Sequence, residues 1–243
     1  MASYNIFAEF YDDLTQNVEY EKIAKYVSSF FKKYYPCGKT VLDLACGTGT
    51  LSKLLNEDGY NIIGIDLSDD MLCIASSKGV DNASFIKGDI SSFALPQKVD
   101  YCVCSLDSIN HLESIERVGE CFNCVYNSLN DGGVFVFDVN TVYKHKNVLS
   151  DNTFVFDEEN FFLSWDNEYL GEKTVRILLD FFVFNGVNYD RFSEEFCEKA
   201  YEISELENKL NKFKILGVYD ELTLSEPKND SERIYFVCKK VSN

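Results

Sequence analysis

The sequence predicts an α/β fold: a mostly parallel sheet with helices on both faces, carrying a small antiparallel β insertion. Three observations predict it. Short, nearly continuous apolar runs alternate with helical patterns up to Val139, as expected when both faces of a parallel sheet are covered. A glycine turn, Gly47-Thr48-Gly49, joins the first of these runs to a helix. From Thr153 to about Phe196 the helical period disappears and strand patterning replaces it.

In order, residues 18–34 read as an amphipathic helix, with Val18, Ile23, Val27, Phe30 and Phe31 near helical spacing, ended by Pro36 and Gly38. Thr40–Ala45 is a first strand, and Leu51–Glu57 a helix closed by Gly59. Asn61–Ile65 is a second strand. Ser68 caps the next helix, whose first turn holds Asp69 and Asp70 at the positive end of the helix dipole. Ala83–Lys87 and Tyr101–Ser105 are strands three and four. A helix over Glu113–Leu129 and the turn Asp131-Gly132-Gly133 lead to a fifth strand, Val134–Val139.

In the insertion, Asn185-Gly186 between Phe181–Phe184 and Val187–Tyr189 predicts a two-residue type I′ hairpin. Ser204 and Glu207 predict a capping box opening a helix to about Lys212. Phe213–Thr223 and Ile234–Lys239 close the sheet. Their connection, Ser225–Glu232, is too short for a crossover helix, so the two strands are expected to be antiparallel. The expected division is a core of residues 1–141 and 200–243, its N-terminus a helical lid, and an insertion of residues 142–199 that covers a substrate.

Composition narrows the function classes. With 46% hydrophobic and 26% charged residues, the 243-residue chain is globular rather than disordered. Its opening residues lack the basic and apolar regions of a signal peptide, and no apolar run is long enough for a membrane span. Nine cysteines, several within apolar runs, suit a reducing cytoplasm. Cys121 and Cys124 have C-x-x-C spacing, but no second pair or nearby histidine completes a zinc site, and no metal is expected. A net charge of −17 without clustered Lys or Arg argues against nucleic acid and for a small-molecule partner.

The chemistry concentrates at the glycine turn. Ligands of open α/β sheets bind outside the carboxyl ends of the strands, and glycine allows the backbone to approach them. Asp66 ends the second strand, where a carboxylate can accept two ribose hydroxyl bonds. A nicotinamide dinucleotide and S-adenosylmethionine (SAM) both suit this skeleton. The dinucleotide fingerprint needs a third glycine three residues after the second, and Ser52 stands there. A pyrophosphate needs donors, whereas a phosphate-free sulfonium tolerates carboxylates such as Asp43.

Asp43-Leu-Ala-Cys-Gly-Thr-Gly49 resembles motif I of the class I SAM-dependent methyltransferases. Gly64-Ile-Asp-Leu-Ser68, Gly88-Asp-Ile90, Asp100-Tyr-Cys-Val-Cys-Ser105 and Gly132-Gly-Val-Phe-Val-Phe137 are similar to that family's later motifs, in the right order. Tyr4-x-x-Phe-Ala-x-x-Tyr11-Asp12 and Lys199-Ala-Tyr201 resemble a bacterial small-molecule subgroup. The resemblance covers nearly the whole chain. It implies a Rossmann-like seven-stranded sheet in order 3-2-1-4-5-7-6 with strand 7 antiparallel. It also implies roles. Gly47, Gly49 and the Ala45 and Cys46 backbone would face the methionine part of SAM. Asp66 would hold the ribose, Leu67 and Met71 would flank the adenine, and Asp89 and Ile90 would meet its edge. Ser105 and Leu106 would lie beside the sulfonium. Asp89 also reads as a turn residue, and Met71 as ordinary core.

Methyl transfer is an in-line displacement on an already activated carbon, so alignment and exclusion of water carry most of it. A base is needed only where the nucleophile arrives protonated. Asp107, Asn110 and His111 follow the fourth strand and are the catalytic candidates. His111 reads equally as a surface histidine at a helix start. Tyr4 and Tyr11 read as a lid over the cofactor or as core tyrosines. Trp165, Arg176 and Arg191 are substrate candidates in the insertion, and the arginines suit a carboxylate or a solvated strand. No Asn/Asp-Pro-Pro-aromatic or Pro-Cys motif of DNA methylation occurs. The expected activity is methylation of N or O of a small molecule, with S-adenosylhomocysteine as product. The competing expectations are an NAD-dependent oxidoreductase, a non-catalytic SAM-binding protein, and a tRNA or protein methyltransferase.

Overall fold

The computed structural model describes residues 6–241. Its main sheet has seven strands: β1 (Thr40–Leu44), β2 (Asn61–Asp66), β3 (Ala83–Lys87), β4 (Val99–Cys104), β5 (Leu129–Asn140), β10 (Phe213–Asp220) and β11 (Arg233–Lys240). Their order is β10-β11-β5-β4-β1-β2-β3. Strands β1 to β5 pair in parallel, whereas β11 is antiparallel to both β5 and β10. This is the expected 3-2-1-4-5-7-6 topology. The connection Ser225–Glu232 is too short to carry the chain back to the other end of the sheet, which forces the reversal of β11.

Helices α2 (Tyr20–Tyr34) and α3 (Thr50–Glu57) cover one face, with a core of Val27, Phe31, Val41, Tyr101 and Val136. Helices α5 (Ile115–Ser128) and α7 (Ile203–Lys209) cover the other, around Leu42, Cys102, Phe122, Phe135 and Phe236. Helix α4 (Asp69–Ser77) begins at Ser68, whose Oγ accepts from the Met71 N–H. Among the described residues no helix is long and apolar enough to cross a membrane.

The second sheet is an antiparallel meander of β6 (Thr153–Asp157), β7 (Phe161–Gly171), β8 (Thr174–Phe184) and β9 (Tyr189–Lys199). Alternate residues of β7 and β8, including Phe161, Leu163, Ile177, Leu179 and Phe181, form its inner face. Phe10 of α1 (Ile6–Leu14) packs into that face, 4.7 Å between ring centroids from Phe161. The N-terminal helix thus rests on the meander while it reaches toward the glycine turn. Between the sheets runs α6 (Val142–Lys144), continued by a π-helical turn, His145–Leu149.

Three local expectations are corrected. The Asn185-Gly186 hairpin is not a two-residue type I′ turn. Only Gly186 has positive φ (94°), and Phe184 pairs with Tyr189 across a four-residue connection. The Asn185 Oδ1 accepts from the Val187 and Asn188 N–H groups, so a side chain replaces the tight backbone turn. Helix α7 is capped by Glu202 and Glu205, not Ser204 and Glu207. The Glu205 carboxylate reaches back to the Glu202 N–H at 2.8 Å and is held there by Lys173. The predicted Asp131-Gly132-Gly133 turn lies inside β5, where its pairing with β4 shifts register.

Candidate functional site

Strand order reverses between β1 and β4, and a groove of about 410 Å³ opens there at the carboxyl ends of the strands. Tyr11, Ala45, Gly47, Asp66, Leu67, Met71, Asp89, Ile90, Leu106 and His111, all predicted from sequence, line it. A smaller recess of about 40 Å³ shares Tyr11, Ala45, Gly47 and Leu106 with the groove and adds Asp43, Cys46 and Ser105.

The glycine turn is a strained loop pinned by carboxylates. Ala45 (φ 53°), Gly47 (φ 52°) and Gly49 (φ 75°) are all left-handed. The Asp66 Oδ2 accepts from the Gly47 N–H at 2.8 Å and its Oδ1 from the Ser68 N–H at 2.9 Å. The carboxylate therefore joins the end of β2 to the turn after β1 and is fixed where it faces the groove. A side chain at Gly47 would find only Tyr11, 3.9 Å away, in the space the groove occupies. Gly49 lines neither cavity. A Cβ there would approach Ala75 Cβ at 3.0 Å, so this glycine lets α3 pack against α4.

Asp43 lies beneath the turn, 2% exposed, and accepts from the Ser52 hydroxyl at 2.6 Å. Burial raises its carboxyl to about 7 despite that bond. Ser52, which breaks the dinucleotide glycine pattern, thus partners a carboxylate.

At the other end of the groove Asp89 is an Asx-turn residue and a wall residue at once. Its Oδ1 accepts from the Ser91 N–H and hydroxyl, and its Oδ2 from Arg117 at 2.6 Å. These bonds, those from Ser91 foremost, hold its carboxyl below the ordinary range. Leu67 stands exposed at the rim and Met71 is buried beneath it. Tyr11 meets Phe7 edge to face at 5.3 Å, so α1 forms an aromatic cover. Asp12 fastens that cover. It accepts from Thr48 and Thr50 of the glycine turn and pairs with Lys78 at 2.6 Å. The Tyr4 expectation lies outside the described residues.

The three catalytic candidates after β4 separate. Leu106 (φ 56°) and Asp107 (φ 51°) are consecutive left-handed residues whose N–H groups both donate to Asp138 of β5, at 2.9 and 3.0 Å. Arg233 of β11 then bridges Asp138 and Asp107. Burial pushes the Asp107 carboxyl up, but Arg233, Lys144 and His111 together hold it below the usual range, while Arg233 stays charged. Asp107, itself half-buried, is thus part of an ionic clasp on the buried Asp138 that shapes the loop.

Asn110 is corrected from catalyst to clamp. It is fully buried, its amide donates to the Asn140 and Lys199 carbonyls, and its Oδ1 accepts from the Asn140 N–H. Both amide hydrogens are thus taken and the side chain is closed off from the groove. His111 alone presents itself to the groove. Its ring lies 5.2 Å from Phe196 of β9, and its Nε2 lies 3.7 Å from Glu198. Surrounding protein lowers its pKa, opposed by Asp107 and Asp66.

The substrate candidates of the insertion stand apart from the groove. Arg176 pairs with Glu168, directly opposite on β7, and Arg191 grips Asp180 with two bonds of 3.0 and 2.8 Å. Trp165 donates to Asn167 and packs among Phe154 and Phe156. None of the three lines the groove, because cross-strand neighbours meet their needs first. Sequence reading missed Phe7, Ser108, Leu112 and Arg117 of the lining, and Asp138, Arg233 and Glu198 behind it. Asp138 within the apolar run of β5 was the available signal for the clasp.

Asp107, His111 and Glu198 place one carboxylate or imidazole atom each within 4.8 Å of one another. Arg233 already pairs with Asp107, so positive charge faces this cluster. The lining does fit S-adenosylmethionine. Its carboxylates face a groove whose only arginine, Arg117, is paired, so a cation suits it and a pyrophosphate does not. The Ser105 hydroxyl, at the recess, is buried with no hydrogen-bond partner, a polar atom left for a ligand.

Comparison with known proteins gives a consistent picture. Residues 41–133 match the family model of a methyltransferase domain. YqeM of Bacillus subtilis, itself only assigned as a methyltransferase, is 32% identical over 98% of this chain and 97% of its own. The crystal structure of an S-adenosylmethionine-dependent methyltransferase from Clostridium acetobutylicum covers 98% of this chain and 99% of its own, with 33% identity and a TM-score of 0.88. A Streptomyces venezuelae enzyme, dTDP-3-amino-3,4,6-trideoxy-alpha-D-glucopyranose N,N-dimethyltransferase, is 29% identical over 51% of this chain and 52% of its own.

Proposed function

Because this chain belongs to the class I S-adenosylmethionine-dependent methyltransferases, we propose that it methylates N or O of a small molecule bound beside His111, an amine nitrogen being favoured. The carrying observation is the lining of the groove. Asp66, fixed by two backbone N–H groups, stands at one position, Asp89 and Ile90 at another, and Tyr11, Leu106 and His111 at a third. The first two suit a ribose and an adenine edge, and the third suits the reacting groups.

Bound S-adenosylmethionine supplies a methyl carbon activated by the positive sulfur. The protein's own residues do the rest. Asp66 orients the nucleoside through its sugar, and Tyr11 and Phe7 close the groove and exclude water. The His111 imidazole is placed to take a proton from an acceptor that arrives protonated. An acidic lining attracts amines and repels acceptors rich in carboxylates or phosphates. That the S. venezuelae relative is an N,N-dimethyltransferase of an amino sugar supports nitrogen as the target. The net charge of −17 weighs against tRNA, and the paired Arg117 with Ser52 against NAD. All nine cysteines are unpaired, which supports a reducing compartment, the cytoplasm.

The test is calorimetric titration with S-adenosylmethionine, S-adenosylhomocysteine and NAD, then a screen of small amines, alcohols and bulk tRNA for S-adenosylhomocysteine release. Binding of the first two and turnover on an amine is expected. Preference for NAD, or turnover on tRNA alone, overturns the reading.

A further inference from the structure

Glu198, near the end of β9, is 5% exposed and stands between the only two histidines of the chain. Its Oε1 lies 3.7 Å from His111 Nε2, and its Oε2 lies 3.7 Å from His145 Nε2. His145, on the π-helical turn after α6, is wholly buried, and its Nδ1 lies 3.0 Å from the Lys173 carbonyl oxygen. A carbonyl oxygen only accepts, so Nδ1 carries the hydrogen and a neutral ring turns a bare Nε2 toward Glu198. Neither the His145 Nε2 nor the Glu198 Oε2 has a hydrogen-bond partner. Two buried acceptors facing each other are costly, and one proton between them removes the conflict whichever atom holds it.

We propose that His111, Glu198 and His145 form a proton relay leading from the groove into the interior, with Glu198 and His145 sharing one proton. Its use rests on the methyl-transfer reading, but its existence does not. An acceptor gives its proton to the His111 imidazole. His111 passes its Nε2 proton to Glu198 Oε1, and Glu198 releases the proton on Oε2 to His145 Nε2. The acceptor ends one proton poorer and His145 ends as an imidazolium, while His111, having taken the proton at Nδ1, regains its charge as the Nδ1–H tautomer and Glu198 regains its charge with the proton on Oε1. A rotation of the Glu198 carboxyl closes either 3.7 Å gap.

The surroundings poise the pair. Burial and the Asp107 carboxylate push Glu198 up to about 8, while Lys144, Asn140 and Arg233 act the other way. Burial lowers His145, opposed by its bond to the Lys173 carbonyl and by Asp107 and reinforced by Lys144. His111, its side chain 48% exposed, is the solvent end of the relay. Near neutral pH Glu198 therefore keeps a proton and His145 stays neutral, the state in which one proton serves both.

Having two histidines makes the test direct. Histidine-selective ¹⁵N labelling of the full chain, in EDTA-containing buffer from pH 5 to 10, reads each ring's tautomer and titration without any ligand. We expect His145 as the Nδ1–H tautomer, and a titration step felt by both rings. In Glu198→Gln that shared step disappears and His145 loses at least about tenfold in proton affinity, since a neighbouring carboxylate shifts a pKa by one unit or more. An Nε2–H tautomer at His145, or unchanged curves in Glu198→Gln, overturns the relay. If Glu198→Gln does not fold, the wild-type tautomer and the His111 curve in His145→Gln still decide, because loss of the relay partner must move His111. A failed relay leaves S-adenosylmethionine binding untouched, and failed binding leaves these spectra untouched.

Discussion

Replacing Asp66 with alanine tests the groove at the residue that both builds it and faces its ligand. In the ligand-free protein the carboxylate accepts two backbone N–H bonds, from Gly47 and Ser68, at 2.8 and 2.9 Å. Alanine leaves both donors to water at the groove wall, which costs about 1–2 kcal/mol of stability, less than for fully buried donors. The same change removes the carboxylate bonds expected to the ribose. At about 2 kcal/mol for each hydrogen bond to a charged group, loss of one to two such bonds predicts about 2–4 kcal/mol of affinity. That is roughly 30-fold to 800-fold in Kd. Calorimetric titration with S-adenosylhomocysteine measures the affinity, and urea unfolding without ligand measures the stability. A Kd within threefold of wild type would refute the ribose assignment. Lost stability with intact affinity would confine Asp66 to holding the turn.

Gly47→Val puts a β-branched residue at φ 52° and fills the space beside Tyr11, so S-adenosylmethionine binding should be abolished; measurable affinity would contradict the backbone-approach reading. Arg233→Met leaves the buried Asp138 facing the half-buried Asp107 with no cation between them, and should cost about 3 kcal/mol in urea unfolding at pH 7; a loss under about 1 kcal/mol would show that the clasp is not needed. Asp43 has a folded-state pKa raised to about 7, so its contribution to stability is full below the ordinary carboxylate range and is lost as pH rises toward 7. Asp43→Asn should therefore flatten the decline of stability over that window, and an unchanged slope would remove Asp43 as its cause.

Periodicity and local chemistry were enough to place the strands of the main sheet. β3 is found at Ala83–Lys87 as predicted, because a short apolar run bounded by turns has few alternatives. Ser68 is the cap of α4 for an equally local reason, its hydroxyl lying within reach of the Met71 N–H. Where several local solutions compete, the reading slipped. Ser204 with Glu207 and Glu202 with Glu205 have the same spacing, and the contact with Lys173, 32 residues away, accompanies the second pair.

The amino-acid sequence alone determined the order of elements, the direction of the strands and the residues at the glycine turn, because these follow from hydrophobic period, chain length between strands and backbone permissiveness. Only the tertiary structure decided what the polar residues beyond the turn do. Asp107 and Asn110 adjoin His111 in the chain, yet Arg233 and Asp138 claim the first while the Asn140 and Lys199 backbone claims the second. Glu198 stands beside both histidines although it is far from either in sequence. The physical reason is that a buried polar atom takes whatever partner the fold brings within about 3 Å, and that choice is made by packing between distant segments.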